Sequence, residues 1–143
     1  MTITFYDLAG ADPALRFSPY CWRTRMALLH KGLAFDAVPW RFSDKAVLEP
    51  SGQAKVPTIV DNGRWVNDSW QIALYLDQTY PDRPLLMKDE GRRAAARLVD
   101  VWLIGAAHMT ALPMVLLNMF GHLDPKDQPN FREIREKQFG KSL

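Results

Sequence analysis

The stretch Ser18-Pro19-Tyr20-Cys21-Trp22-Arg23 constrains the fold of this chain more than any other. Serine is a preferred helix cap, because its hydroxyl accepts a bond from an amide that the first turn leaves unpaired. Proline at the next position brings a φ that is already helical. A helix therefore starts at Pro19, downstream of the alternating strand pattern Ile3-Thr4-Phe5-Tyr6-Asp7. A strand running into a helix N-terminus presents unpaired amides and a partial positive charge, which suits a bound anion. Ser18 thus has two local readings, a plain cap or part of an anion site, and the cap is the commoner of the two.

The surrounding pattern extends this start into a domain. Ala9 to Phe17 is a loop, and in the helix Pro19–Lys31 the apolar residues Trp22, Met26 and Leu29 recur at helical spacing, with Gly32 as the stop. A second strand over Leu33–Trp40 implies parallel pairing with a right-handed crossover. Ser43 to Leu48 reads as a short helix capped by Ser43 and closed by Pro50, before the loop Ser51–Ala54. Asn62-Gly63 marks a hairpin turn between Val56–Val60 and Arg64–Val66. Asp68-Ser69 opens another helix with Ile72, Leu76 and Thr79 on one face, and Tyr80-Pro81-Asp82-Arg83-Pro84 ends it. Trp22 and Trp70 are expected in the core. Residues 1–80 thus read β-α-β-α-β-β-α, an α/β domain with a mixed sheet.

Beyond a linker over 81–88 the period becomes purely helical. Leu98, Val101, Trp102, Gly105, Met109, Leu112 and Leu116 form one apolar stripe on a helix starting near Asp89. Pro113 is expected to kink or end that helix. After the loop Asp124–Asp127, Pro129–Phe139 reads as one more helix. Residues 89–143 therefore read as part of an all-α domain. So few helices leave the stripe without neighbours, and each large apolar side chain left exposed forgoes roughly 1.5–3 kcal/mol of burial. The expectation is that this length of chain aggregates, pairs through the exposed helix, or is a fragment of a longer protein.

Charge and composition narrow the partners. A net charge of +2 over 143 residues does not call for nucleic acid or an anionic membrane. Lys88, Arg92, Arg93 and Arg97 are spaced as one solvated helix face. The N-terminus lacks the pattern of a signal peptide, and no apolar run is expected to reach membrane-spanning length. Cys21 is the single cysteine, which excludes an internal disulfide and fits a reducing, cytoplasmic setting. His30, His108 and His122 stand far apart without ligand partners nearby, so no metal site is expected.

The order of strand, Ser-Pro-Tyr-Cys helix, strand, Lys55-Val56-Pro57, hairpin, Asp68-Ser69 helix, linker and helical segment resembles a glutathione S-transferase. Ser18–Thr24, Trp65-Val66-Asn67-Asp68-Ser69-Trp70 and Tyr80–Pro84 are more closely similar to bacterial glutathione-dependent β-etherases, which cleave aryl ethers in lignin-derived compounds. The resemblance implies a thioredoxin-like N-terminal domain followed by part of the helical C-terminal domain. It also implies glutathione as co-substrate, a small electrophilic, aromatic second substrate, and a homodimer.

The resemblance carries over residue by residue. Val56, preceding a cis Pro57, offers its backbone to the cysteinyl part of glutathione. Ser69 takes the γ-glutamyl carboxylate with its amide and hydroxyl, Asp68 faces the γ-glutamyl ammonium, and Lys55 pairs with the glycyl carboxylate. Tyr20 lines the ligand pocket, and His108, Met109 and Met114 form a wall toward the electrophile. Locally the bland readings stand beside these: a trans proline at a strand start, a polar helix start, a solvated lysine and core residues on a helical stripe.

Ser18 falls where serine-type transferases place the residue that activates glutathione. A thiol pKa near 8.5 must fall by about two units, or about 2.7 kcal/mol, to be mostly thiolate at neutral pH. A hydrogen bond to the charged sulfur contributes roughly 1.5–3 kcal/mol, and the helix N-terminus roughly 0.3–1 kcal/mol. With the whole pattern in view, Ser18 reads as this donor, a role compatible with capping. Cys21 reads as a small buried hydrophobe, and with serine in the attacking position a dithiol cycle is excluded. The expected activity is glutathione transfer to an electrophile, with aryl ether cleavage as its finer form. The alternative is a non-catalytic glutathione-binding or protein-interaction module of the same fold.

Overall fold

β1 (Ile3–Leu8) is the strand on which the first part of the chain is assembled. In the computed structural model, which describes residues 2–85 and 89–143, β1 pairs in parallel with β2 (Phe35–Trp40), from Ile3↔Phe35 to Leu8↔Trp40. On its other side it pairs antiparallel with β3 (Thr58–Asp61), which pairs antiparallel with β4 (Arg64–Asn67), giving the order β2-β1-β3-β4. The parallel half and the hairpin half are as the pattern implies. Asn62 at φ 49° and Gly63 at φ 80° both adopt the left-handed backbone that a tight hairpin turn requires. The chain divides into two units, Met1–Leu86 and Met87–Leu143.

α1 (Pro19–Lys31) and α2 (Ser69–Thr79) close the first unit over a core of Ile3, Phe5, Leu28, Leu48, Ile59 and Leu76. The face that α1 buries is not the expected one. Cys21, Thr24, Ala27 and Leu28 face inward, while Trp22, Met26 and Leu29 are 45%, 59% and 56% exposed. Both faces carry apolar residues, so periodicity alone does not choose between them. The small side chains at 21, 24 and 27 let the helix approach the sheet closely, and the Arg25–Asp7 ion pair at 2.6 Å holds that rotation. Trp70 is half-buried, and Thr79 is exposed on a helix that buries Ile72, Tyr75 and Leu76.

Three boundaries also move. β2 begins at Phe35 rather than Leu33, because Gly32 at φ 68° closes α1 and the Leu33 amide turns back to Leu28 O at 3.1 Å. The short helix is a 3-10 segment, Lys45–Ser51, with Pro50 inside it and Gly52 ending it. Ser43 does not cap it. The residue before it, Asp44, directs its carboxylate to the Arg41 amide at 3.1 Å. The segment after α2 is fastened to the first unit. Buried Lys31 donates to Tyr80 O, Arg83 O and the Asp77 carboxylate at 2.7, 2.8 and 2.8 Å. The Tyr75 and Tyr80 hydroxyls donate to buried Asp61, and that bond, with burial, pushes the Tyr80 pKa up to about 12. Residues 81–85, expected as linker, therefore pack with the first unit, and residues 86–88, including Lys88, lie outside the described residues.

The second unit is helical. α3 (Glu90–Trp102), capped by Asp89, continues through a π-helical segment, Leu103–His108, into α4 (Met109–Gly121), and α5 (Gln128–Phe139) follows. Pro113 lies inside α4 and does not end it. Its ring is directed at the carbonyl one turn earlier, on Met109, next to the widened π segment, where a helix can absorb such a collision. Continuity from Glu90 to Gly121 makes a 32-residue helix, long and apolar enough by length and composition to cross a membrane. That corrects the expectation of no such run. Leu112 and Leu116 are buried, whereas Leu98 is 72% and Trp102 63% exposed.

Candidate functional site

Ser18 has extended backbone angles, φ −76° and ψ 117°, and its Oγ accepts the Cys21 amide at 3.3 Å. Its carbonyl accepts the Trp22 amide at 3.0 Å. Capping uses an oxygen lone pair and leaves the hydroxyl proton to be donated. The nearby Ser18 hydroxyl favours the thiolate form of Cys21. Burial outweighs it and pushes the Cys21 thiol up to about 12. Cys21 is thus a fully buried neutral thiol whose sulfur also accepts the Leu8 amide at 3.5 Å. A charged sulfur brought to the helix start is the stronger acceptor and takes the Ser18 proton in preference to the neutral one.

The Val56–Pro57 peptide is cis, with Pro57 buried and Lys55 exposed. The Thr58 hydroxyl, fully buried, reaches Lys55 O at 3.0 Å and Asn67 Oδ1 at 2.8 Å, and Asn67 Nδ2 donates to Ser51 O at 2.9 Å. Asp68 stands at φ 70°, in the left-handed region, at a strain of about 1–3 kcal/mol. Its carboxylate offsets part of this by capping α2, accepting the Trp70 and Gln71 amides at 2.9 and 3.1 Å. Asp68, rather than Ser69, is therefore the cap. Ser69 is the first residue of the helix, 5% exposed, and among the described residues its amide and hydroxyl have no protein partner. Two donors at a helix N-terminus are what a carboxylate requires.

Strand register gathers these groups at one end of the sheet. Tyr6 near the end of β1 lies opposite Thr58 at the start of β3, and Thr58 lies opposite Asn67 at the end of β4. The chain leaving β1 toward Ser18, the cis Val56–Pro57 entering β3 and the Asp68-Ser69 turn leaving β4 therefore share that end. Tyr20, half-buried, is the second residue of α1. His108 and Met109 belong to the second unit, at the junction of the π segment and α4, where the Gln138 amide reaches Met109 Sδ at 3.8 Å. No metal-binding cluster occurs among the described residues.

Sequence reasoning passed over Thr58, Asn67 and Asp7. Asp7 had a readable signal, an acid at the position where the Ile3, Phe5 alternation calls for an apolar side chain. Thr58 and Asn67 had none, because their pairing exists only across the hairpin.

A mixed four-stranded sheet with a cis-proline ahead of β3 and helix starts after β1 and β4 defines a thioredoxin-like domain. Residues 13–84 match the glutathione S-transferase N-terminal domain family, and the chain belongs to the glutathione S-transferases. It is 39% identical over 79 residues to glutathione S-transferase Z1 of Arabidopsis thaliana, across 50% of this chain and 35% of that protein. It is 38% identical over 84 residues to a probable maleylacetoacetate isomerase of Caenorhabditis elegans, across 56% of this chain and 39% of that protein. A glutathione transferase structure from Phanerochaete chrysosporium matches with a TM-score of 0.85 at 31% identity, over 99% of this chain and 63% of that one. A glutathione S-transferase of Ceriporiopsis subvermispora, solved in complex with glutathione, matches with a TM-score of 0.83 at 30% identity, over 98% and 61%. The chain thus spans under two fifths of these curated relatives and about three fifths of these solved structures.

Proposed function

We propose that this chain binds glutathione and holds it as a thiolate for transfer to an electrophile. The observation that carries the reading is a Ser18 hydroxyl with its proton available at a helix N-terminus, on the same end of the sheet as the cis Val56–Pro57 peptide and the two donors of Ser69. Val56 pairs its backbone with the cysteinyl residue of glutathione. Ser69 holds the γ-glutamyl carboxylate, Asp68 the ammonium, Lys55 the glycyl carboxylate, and Tyr20 borders the sulfur. The Ser18 hydroxyl donates to that sulfur and, with the helix amides, keeps it ionised. The thiolate then attacks an electrophilic carbon and displaces a leaving group. The finer reading is an aromatic substrate and an aryloxide leaving group, as in aryl ether cleavage, with His108 and Met109 on the substrate side. The working form is a cytoplasmic homodimer.

The test titrates the thiolate absorbance of the glutathione complex against pH. Ser18→Ala is expected to raise the thiol pKa of bound glutathione by roughly one to two units, with a smaller loss of affinity. An unchanged titration curve overturns the role of Ser18. Turnover with a panel of electrophiles that includes an arylglycerol β-aryl ether then decides the substrate class.

A further inference from the structure

Asp7 is a buried acid that the proposed chemistry leaves unused. It sits on the inward face of β1 and is 1% exposed. Its Oδ2 lies 2.6 Å from Arg25 Nη2 and 3.9 Å from Arg16 Nη1, and its backbone carbonyl accepts Arg16 Nη1 at 2.9 Å. Its Oδ1 is buried and makes no hydrogen bond of good geometry among the described residues, and the carboxylate lies near the neutral Cys21 thiol, whose pKa it helps to raise. A carboxylate paired through only one oxygen is a poor way to stabilise a core, where an apolar side chain does better. Its neighbours say what it does instead. Arg16 lies two residues before Ser18, and the Arg16 carbonyl accepts the Trp22 indole at 2.9 Å. Trp22 in turn donates its amide to Ser18 O at 3.0 Å. Arg25 lies over the rings of Phe5, Trp22 and Phe35 at 5.5–5.7 Å. Bonds therefore run from Asp7 through Arg16 and Trp22 to Ser18, and through Arg25 to the flank of Trp22. They clamp the chain on both sides of the Ser18 hydroxyl.

We propose that Asp7 is a positioning residue for Ser18, acting through Arg16 and Arg25 to fix the last residues of the Ala9–Phe17 loop rather than by touching the ligand. This rests on the reading of Ser18 as the donor to the glutathione sulfur. The loop spans nine residues, 9 to 17, between strand and helix, so without an anchor the hydroxyl it delivers samples many positions. Asp7 is the anchor: its carboxylate pairs with Arg25 at 2.6 Å and its main-chain carbonyl accepts from Arg16 at 2.9 Å, with the carboxylate 3.9 Å from the same guanidinium, so both arginines are held from the strand side.

The experiment measures the thiol pKa of bound glutathione by thiolate absorbance in Asp7→Asn, Arg16→Ala and Arg16→Lys, each alone and with Ser18→Ala. Affinity for S-methylglutathione, which carries no thiolate, is measured beside it. Asp7→Asn and Arg16→Ala are expected to raise the thiol pKa by about half a unit or more. Affinity for S-methylglutathione is expected to change less than twofold, and Arg16→Lys to recover most of the shift. In the Ser18→Ala background neither substitution is expected to shift the pKa further. A lower melting temperature with an unchanged thiol pKa overturns the proposal and leaves Asp7 purely structural, and so does a shift that persists without Ser18. If Ser18→Ala alone leaves the titration unchanged, the donor reading fails and this proposal falls with it. A shift in Ser18→Ala with none in Asp7→Asn and Arg16→Ala overturns the positioning role only. Should Asp7→Asn fail to fold, Arg16→Ala, which leaves the Asp7–Arg25 pair in place, decides between the same outcomes.

Discussion

The Thr58 hydroxyl lies 2.8 Å from Asn67 Oδ1, and this contact joins the two segments proposed to grip glutathione. Thr58 follows the cis Val56–Pro57 peptide, and Asn67 precedes the strained Asp68. Thr58→Val keeps the side-chain shape but removes the one hydroxyl proton within reach of Asn67 Oδ1 and Lys55 O, a loss of about 1–3 kcal/mol of stability. Glutathione affinity is expected to fall about tenfold with the thiol pKa of the bound ligand unchanged. Calorimetry paired with the thiolate titration reads both, and a shift in the pKa with affinity intact contradicts the assignment.

Asp68 allows capping and ligand binding to be separated. Glycine adopts φ 70° without strain and is a tolerable cap, so Asp68→Gly is expected to alter stability by only a few tenths of a kcal/mol. Loss of the partner for the γ-glutamyl ammonium is expected to weaken glutathione binding about tenfold, or about 1.4 kcal/mol. Ser69→Ala removes one donor to the γ-glutamyl carboxylate and is expected to act in the same direction. Calorimetry with glutathione and with an analogue lacking the γ-glutamyl group makes the comparison. Equal losses for both ligands refute the placement of Asp68 and Ser69.

Cys21 is expected to be inert in the folded chain. Its thiol is fully buried and its pKa, pushed up to about 12 chiefly by burial, leaves almost no thiolate near neutrality. Iodoacetamide at pH 7 to 8 is expected to label it only after unfolding, as read by mass spectrometry. Because the folded state raises the pKa, the contribution of the neutral thiol to stability is intact below the unfolded value of about 8.5. It declines as pH rises from there toward 12. Rapid labelling of the native chain at pH 7 contradicts the buried placement.

Lys31 holds the end of the first unit together. Its side chain is 1% exposed, and its three acceptors match the three protons of an ammonium. Lys31→Met leaves Asp77 and two carbonyls without their cation and is expected to destabilise the first unit by about 3 kcal/mol. Urea denaturation followed by tryptophan fluorescence measures this, and a loss under 1 kcal/mol means that water replaces the ammonium.

The order of elements was legible because each rests on neighbouring residues. Ser18-Pro19 starts α1, Asn62-Gly63 turns the hairpin, Gly32 stops a helix, and Asp68-Ser69 opens α2, all through backbone preferences that act within a few positions. The places of Ser18 and Ser69 at helix starts were legible for the same reason. The buried face of α1 was decided only in three dimensions. Two apolar stripes compete in the sequence, and the sheet admits the one with small residues at Cys21, Thr24 and Ala27, leaving Met26 and Leu29 outside. The same holds for the contacts of Asp7 with Arg16 and Arg25, of Lys31 with Asp77, and of Thr58 with Asn67. Each joins residues 9 to 46 positions apart in the chain. Local propensity carries no information about such pairs; strand register and helix packing bring them together.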